Sequence, residues 1–158
     1  MNIKSLVLPI LASFALGLSV SAADKKPKHD HDHAHEKKIA TPNGGRLLTA
    51  VEPHAEFLVM ADRKVQITFL GDDGKAVAPA KQVVTVTAGE RSAPTKLTFT
   101  KSGNTLVSSG ALPAGNDFPT VVQIKATPNA KTVTEKFNLN LTKCPTCSNA
   151  EYACTCEH

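Results

Sequence analysis

The sequence lacks the signatures of the common enzyme classes. It contains no Ser-His-Asp order, no nucleophile elbow and no glycine-rich phosphate loop among its strand-like segments. The paired carboxylates Asp72 and Asp73 fall in a predicted turn, where solvated side chains are the simpler interpretation. We therefore expect a protein that is not an enzyme.

The sequence has only one long hydrophobic run, and it lies at the beginning. Lys4 precedes a mostly apolar stretch over residues 6–20, and the small residues Ser21, Ala22 and Ala23 follow, which is the order of a secretory signal peptide. The run is shorter than the roughly 20 residues that a membrane-spanning helix needs. No cysteine near residue 23 could carry a lipid. We expect residues 1–23 to be removed and the mature chain to be periplasmic or secreted, with no membrane insertion.

The chain also lacks a basic cluster. Its net charge is +4, but the lysines are scattered, so nucleic acid is not the expected partner. Composition divides the mature protein into a histidine-rich segment at 24–38, a β-domain at 39–141 and a cysteine-rich tail at 142–158. The first segment is almost wholly charged or histidine and is predicted to be disordered.

No amphipathic pattern of helical length interrupts the middle part, so parallel strands joined by helices are excluded. Apolar and polar residues alternate there with a period of two, as in strands with one buried face. The clearest runs are at residues 54–60, 65–70, 84–87, 96–100, 122–126 and 132–141. The prediction is an all-β, antiparallel β-sandwich (Ig-like, Greek key) of seven or eight strands; an open barrel would give the same pattern.

Four of the six histidines crowd into seven residues of the first segment, interleaved with carboxylates. Neutral imidazole is a favoured ligand of zinc, copper and nickel, and either an extended or a helical conformer brings these side chains together. A solvated polar tail is the alternative interpretation. The candidate metal ligands are His29, His31, His33 and His35.

All four cysteines lie near the end of the sequence, as Cys144-Pro145-Thr146-Cys147 and Cys154-Thr155-Cys156, followed by His158. These ligands would suit zinc or copper(I). In an oxidising compartment the same four cysteines normally form two disulfides, and the sequence leaves the two possibilities open. A redox dithiol at Cys144 and Cys147 fits less well, because such motifs usually open a helix in a thioredoxin-like fold.

The chain resembles a group of small exported bacterial proteins with a histidine-rich segment, a Gly-Gly-Arg turn, a β-sandwich and, in some members, a cysteine-rich end. It is more distantly similar to the periplasmic copper-resistance chaperones, which hold copper through histidines and methionines and pass it on. In this chain Met60 is the only methionine after Met1. The matching stretches are His29 to His35, Gly44-Gly45-Arg46, Pro53-His54-Ala55-Glu56-Phe57 and Ala150-Glu151-Tyr152-Ala153-Cys154.

Together these features predict an exported protein that binds a transition-metal ion, zinc or copper, and buffers it or hands it to a metal transporter or surface protein. The alternative is a disulfide-stabilised β-sandwich that binds another protein and has no metal role. Counting the free thiols would separate the two hypotheses.

Overall fold

The computed structural model describes residues 41–156, which form nine strands and one three-residue 3₁₀ turn, Glu151–Ala153. Every strand pair is antiparallel. No helix in this part of the chain has the length and apolarity needed to cross a bilayer. The strands are β1 (Arg46–Leu48), β2 (His54–Val59), β3 (Lys64–Leu70), β4 (Ala76–Val77), β5 (Val83–Ala88), β6 (Thr95–Ser102), β7 (Thr105–Ala111), β8 (Asp117–Lys125) and β9 (Val133–Asn140).

The strands follow one hydrogen-bonded path, β1-β2-β3-β7-β6-β5-β8-β9, with β4 paired to β3. The long strand β6 joins the two halves of this nearly closed sheet, since Thr95–Thr98 pair with β5 and Phe99–Ser102 pair with β7. Strands β5, β6 and β7 are consecutive neighbours and β8 returns beside β5, which is a Greek-key order. The predicted all-β antiparallel fold is confirmed. The strand number exceeds the expected seven or eight because β1 and β4 have only three and two residues, too few to show alternation.

The core lies between the two halves of the sheet and follows the predicted alternation. In β8, for example, the residues at even positions from Phe118 to Ile124 are buried, while their neighbours are partly or fully exposed. Aromatic rings fill the space between β2 and β9, where Phe57 meets Phe137 edge to face with ring centroids 5.3 Å apart. The Arg46 guanidinium covers the same Phe137 ring at 4.7 Å. The two ends of the strand path therefore meet through side chains.

Strand β2 departs from alternation, because Ala55, Glu56 and Phe57 are all buried. Successive side chains of a strand point to opposite faces, so β2 must be covered on both sides. The turn at residues 41–45 covers Glu56, whose carboxylate binds its backbone. Tyr152 covers Phe57 on the other side.

The cysteine-rich segment is packed against this end of the sheet. The hydroxyl of Tyr152 accepts a hydrogen bond from the Val59 N–H at 2.9 Å, and its ring packs edge to face on Phe57 at 6.0 Å. Arg46 Nη1 lies 3.4 Å from the Tyr152 carbonyl oxygen, to which it donates. Residues 142–156, assigned from the sequence to a tail beyond the β-domain, thus contribute Tyr152 and Ala153 to the hydrophobic core.

Candidate metal centre

The structure brings the four cysteines together at one point. Their Sγ atoms all lie within 4.8 Å of one another. The Cys144 and Cys154 sulfurs are 3.3 Å apart and those of Cys147 and Cys154 are 3.7 Å apart. With Zn–S bonds of about 2.3 Å, the four sulfurs of a tetrahedral site lie about 3.8 Å from each other. The cluster, Cys144, Cys147, Cys154 and Cys156, is therefore close enough to hold one metal ion.

A short antiparallel ladder creates this convergence. Lys143 and Ala150 form an isolated β-bridge, with the Cys144 N–H donating to Asn149 O and the Glu151 N–H donating to Thr142 O, both at 2.9 Å. The chain reverses between them through Pro145-Thr146-Cys147, which returns Cys147 towards Cys144. The 3₁₀ turn then directs Cys154 to the same point, closed by its N–H to Glu151 O at 3.2 Å.

The electrostatics differ among the four thiols. The backbone N–H of Cys147, with help from that of Thr146 and from the neighbouring thiols, lowers the pKa of Cys144 to about 6 despite burial. The Cys147 thiol, burial and the Cys154 thiol raise the pKa of Cys156 to about 12. The pKa of Cys154 is also raised: the Cys156 N–H lowers it, but burial and the thiols of Cys144 and Cys147 outweigh that effect. Cys154 and Cys156 therefore resist ionisation beside the neighbouring sulfurs, and a bound cation would offset that effect.

The cluster has a buried side and a half-exposed side. Cys144 and Cys154 are 2% and 6% exposed, whereas Cys147 and Cys156 are partly open to solvent. An ion held here would be enclosed by protein on one side and separated from solvent by only two thiolates on the other.

The other predicted ligands do not join this centre in the described structure. His29, His31, His33, His35 and His158 lie outside the described residues, so the histidine site stays a prediction. His54, at the start of β2, has its Nδ1 3.0 Å from Val51 O and 3.3 Å from a Glu52 carboxylate oxygen. His54 is not among the residues that the described structure brings together at the cluster.

The structure adds one residue that the sequence reasoning did not single out. Glu56 is 0% exposed, and its carboxylate accepts hydrogen bonds from the N–H groups of Asn43 and Gly45 at 2.9 and 2.8 Å and from Asn43 Nδ2 at 2.6 Å. A Cβ on Gly45 would lie 2.4 Å from the Phe57 carbonyl oxygen, so only glycine fits there.

This turn also adjoins the cysteine-rich segment. Gly44 has a φ of +77°, and a Cβ added there would lie 3.1 Å from Asn149 Oδ1. The backbone of the turn therefore packs closely against Asn149. Thus Gly44-Gly45-Arg46, the Glu56 stretch and the Tyr152 stretch, which are distant in sequence, meet beside the cluster. An acidic residue in the strand that follows the Gly-Gly pair is the sequence signal that could have found Glu56.

Comparisons with protein-family models, with curated proteins and with solved structures give no match to this chain. The resemblance to exported histidine-rich proteins and to copper-resistance chaperones therefore stays a prediction. The geometry of the cysteines carries the functional argument alone.

Proposed function

We propose that this protein is an exported metal-binding protein that holds one zinc or copper(I) ion at the four-cysteine cluster and buffers or delivers it. The observation that carries the proposal is the approach of all four Sγ atoms to within 4.8 Å. Soft thiolates prefer both ions over hard cations such as magnesium or calcium. Four ligands in a roughly tetrahedral arrangement suit zinc directly.

The surroundings of the cluster support binding rather than catalysis. A catalytic zinc site usually keeps one coordination position for water or substrate, whereas four thiolates fill all positions. The ladder at Lys143 and Ala150 and the packing of Tyr152 hold the ligands near each other before an ion arrives. Less ordering is then required on binding, which favours affinity. We propose no enzymatic activity.

The histidine-rich segment would add a second, weaker site. His29, His31, His33 and His35 offer imidazoles, which bind metal without needing a reducing environment, and His158 would be an additional ligand near the cysteines. Export to the periplasm or the outside is part of the proposal, and N-terminal sequencing of the secreted protein tests it. The expected first residue is near Asp24.

The decisive experiment measures metal in the untagged, reduced full chain after equimolar supply of zinc or copper(I). Native mass spectrometry should show one tightly held ion, and Cys144→Ser with Cys154→Ser should remove it. Ser148→Ala, in the same loop, is the matched control and should retain it. Replacing the four clustered histidines by alanine should leave the tight ion in place.

Alkylation of the protein isolated from its own compartment tests the competing disulfide hypothesis. The 3.3 Å approach of the Cys144 and Cys154 sulfurs makes this pair the one that a disulfide would join with least movement. Two disulfides, no tight metal and unchanged stability in chelator would replace our proposal with a disulfide-stabilised binding module.

A further inference from the structure

The four cysteines of the cluster differ in their exposure to solvent. Cys144 and Cys154 are almost fully buried, at 2% and 6% exposure, while Cys147 and Cys156 are half-buried and face solvent. The sulfur of Cys154 contacts those of both Cys144 and Cys147. Among residues 41–156, Cys147 and Cys156 therefore offer the more open approach to a bound ion.

The buried ligands are also held more firmly by the backbone. Cys144 is fixed by its N–H to Asn149 O at 2.9 Å, and its sulfur receives the N–H groups of Cys147 and Thr146. The sulfur of Cys154 receives the Cys156 N–H at 3.3 Å. These backbone hydrogen bonds fix the positions of the two buried sulfurs.

From this asymmetry we propose that metal enters and leaves through Cys147 and Cys156, and that the partner is a thiolate-bearing acceptor that approaches this half-exposed face. The inference rests on the proposed function. It adds the route of transfer and the chemistry of the acceptor. Cys144 and Cys154 would be the retaining ligands, and one of the half-buried pair, Cys147 or Cys156, would dissociate first.

The transfer step balances without any change of oxidation state. The acceptor sulfur donates an electron pair to the metal, the bond from the metal to one half-buried sulfur, that of Cys147 or Cys156, breaks, and the released thiolate takes a proton from water. A second acceptor thiolate replaces the other half-buried sulfur in the same way. Further acceptor thiolates then displace Cys144 and Cys154, and the ion leaves with the acceptor. Soft metals keep sulfur ligands throughout such an exchange.

The loop that carries Cys147 is open to solvent, since Pro145, Thr146 and Ser148 are exposed.

The test begins with the full chain loaded with zinc, and bound zinc is measured first. The loaded protein is then mixed with increasing excess of dimercaptopropanesulfonate, an anionic dithiol, and zinc transfer is followed by stopped flow. Direct attack at the open face predicts a rate that rises linearly with dithiol concentration. Cys156→Ser should speed transfer on the order of 10-fold or more, by analogy with the effect of weakened metal ligation.

A second variant tests the route without removing a cysteine ligand. Ser148→Trp places a bulky ring beside the open face and should slow transfer several-fold, whereas Ser92→Trp in the exposed β5–β6 loop should not. Iodoacetamide labelling of the loaded protein should modify Cys147 and Cys156 before Cys144 and Cys154.

A protein that takes up no zinc would overturn the proposed function and this route together. A protein that loads zinc but transfers it at a rate independent of dithiol concentration would overturn the route alone. Labelling of the four cysteines at equal rates would do the same.

Discussion

Removing the buried carboxylate of Glu56 should destabilise the protein strongly. In Glu56→Ala the N–H groups of Asn43 and Gly45 lose their acceptor, while Asn43 Nδ2 can turn to solvent. A buried unsatisfied donor costs about 1–3 kcal/mol; Gly45 is buried and Asn43 is exposed, so the expected loss is about 3 kcal/mol. Glu56→Gln keeps an oxygen for both N–H groups and loses only the charge assistance, about 1–2 kcal/mol.

Urea unfolding followed by circular dichroism measures both variants. Metal must be held constant, because an ion that binds only the folded state adds to its stability, and excess chelator in every sample achieves this. Glu90→Gln is the matched control, since Glu90 is exposed and the change should be within about 0.5 kcal/mol. If Glu56→Ala lost less than Glu56→Gln, or no more than Glu90→Gln, the turn at residues 41–45 would not depend on this carboxylate.

Three further predictions concern the surroundings of the cluster. Gly45→Ala should destabilise by about 3 kcal/mol through overpacking against β2, whereas Gly110→Ala, whose added Cβ would come no nearer than 3.6 Å to a neighbour, should cost much less in the same denaturation assay. Burial raises the pKa of Tyr152, so the folded state keeps a proton that the unfolded state releases at high pH. The free energy of unfolding should therefore be unaffected below about pH 10 and should decline as pH rises through the folded pKa. Tyr152→Phe should reduce that decline. Removing the metal should increase acrylamide quenching of the tyrosine fluorescence. This signal reports Tyr152 alone, because the chain has one tyrosine and no tryptophan. Equal quenching with and without metal would show that docking of residues 142–156 is independent of the ion.

The strands that the sequence predicted best are those with a single buried face. Strands β5, β8 and β9 alternate clearly because one side packs in the core and the other is more exposed. Strand β7 was missed because its sequence, Thr-Leu-Val-Ser-Ser-Gly-Ala, carries few apolar residues. Ser108 occupies a buried position there, and its hydroxyl accepts the Val65 N–H at 2.9 Å. A buried polar residue that is hydrogen-bonded in the core interrupts the alternation of apolar and polar residues from which a strand is predicted.

The sequence grouped the four cysteines but gave the group no position. Their spacing predicted possible ligands of one ion, with two disulfides as the alternative. It could not place them against β1 and β2, because that placement depends on Tyr152 finding Phe57 and the Val59 N–H, residues about ninety positions away along the chain.

The sequence by itself determined two properties of the protein. One is the antiparallel β-domain, set by period-two alternation, and the other is a short segment dense in cysteines, which are potential soft metal ligands. These properties are local, so they can be seen in neighbouring residues. Only the tertiary structure decided which cysteines are buried, which face solvent, and that a buried glutamate and a Gly-Gly turn lie beside them. Burial and cross-chain hydrogen bonds depend on contacts between residues far apart in sequence, and those contacts exist only once the sheet has closed around its core.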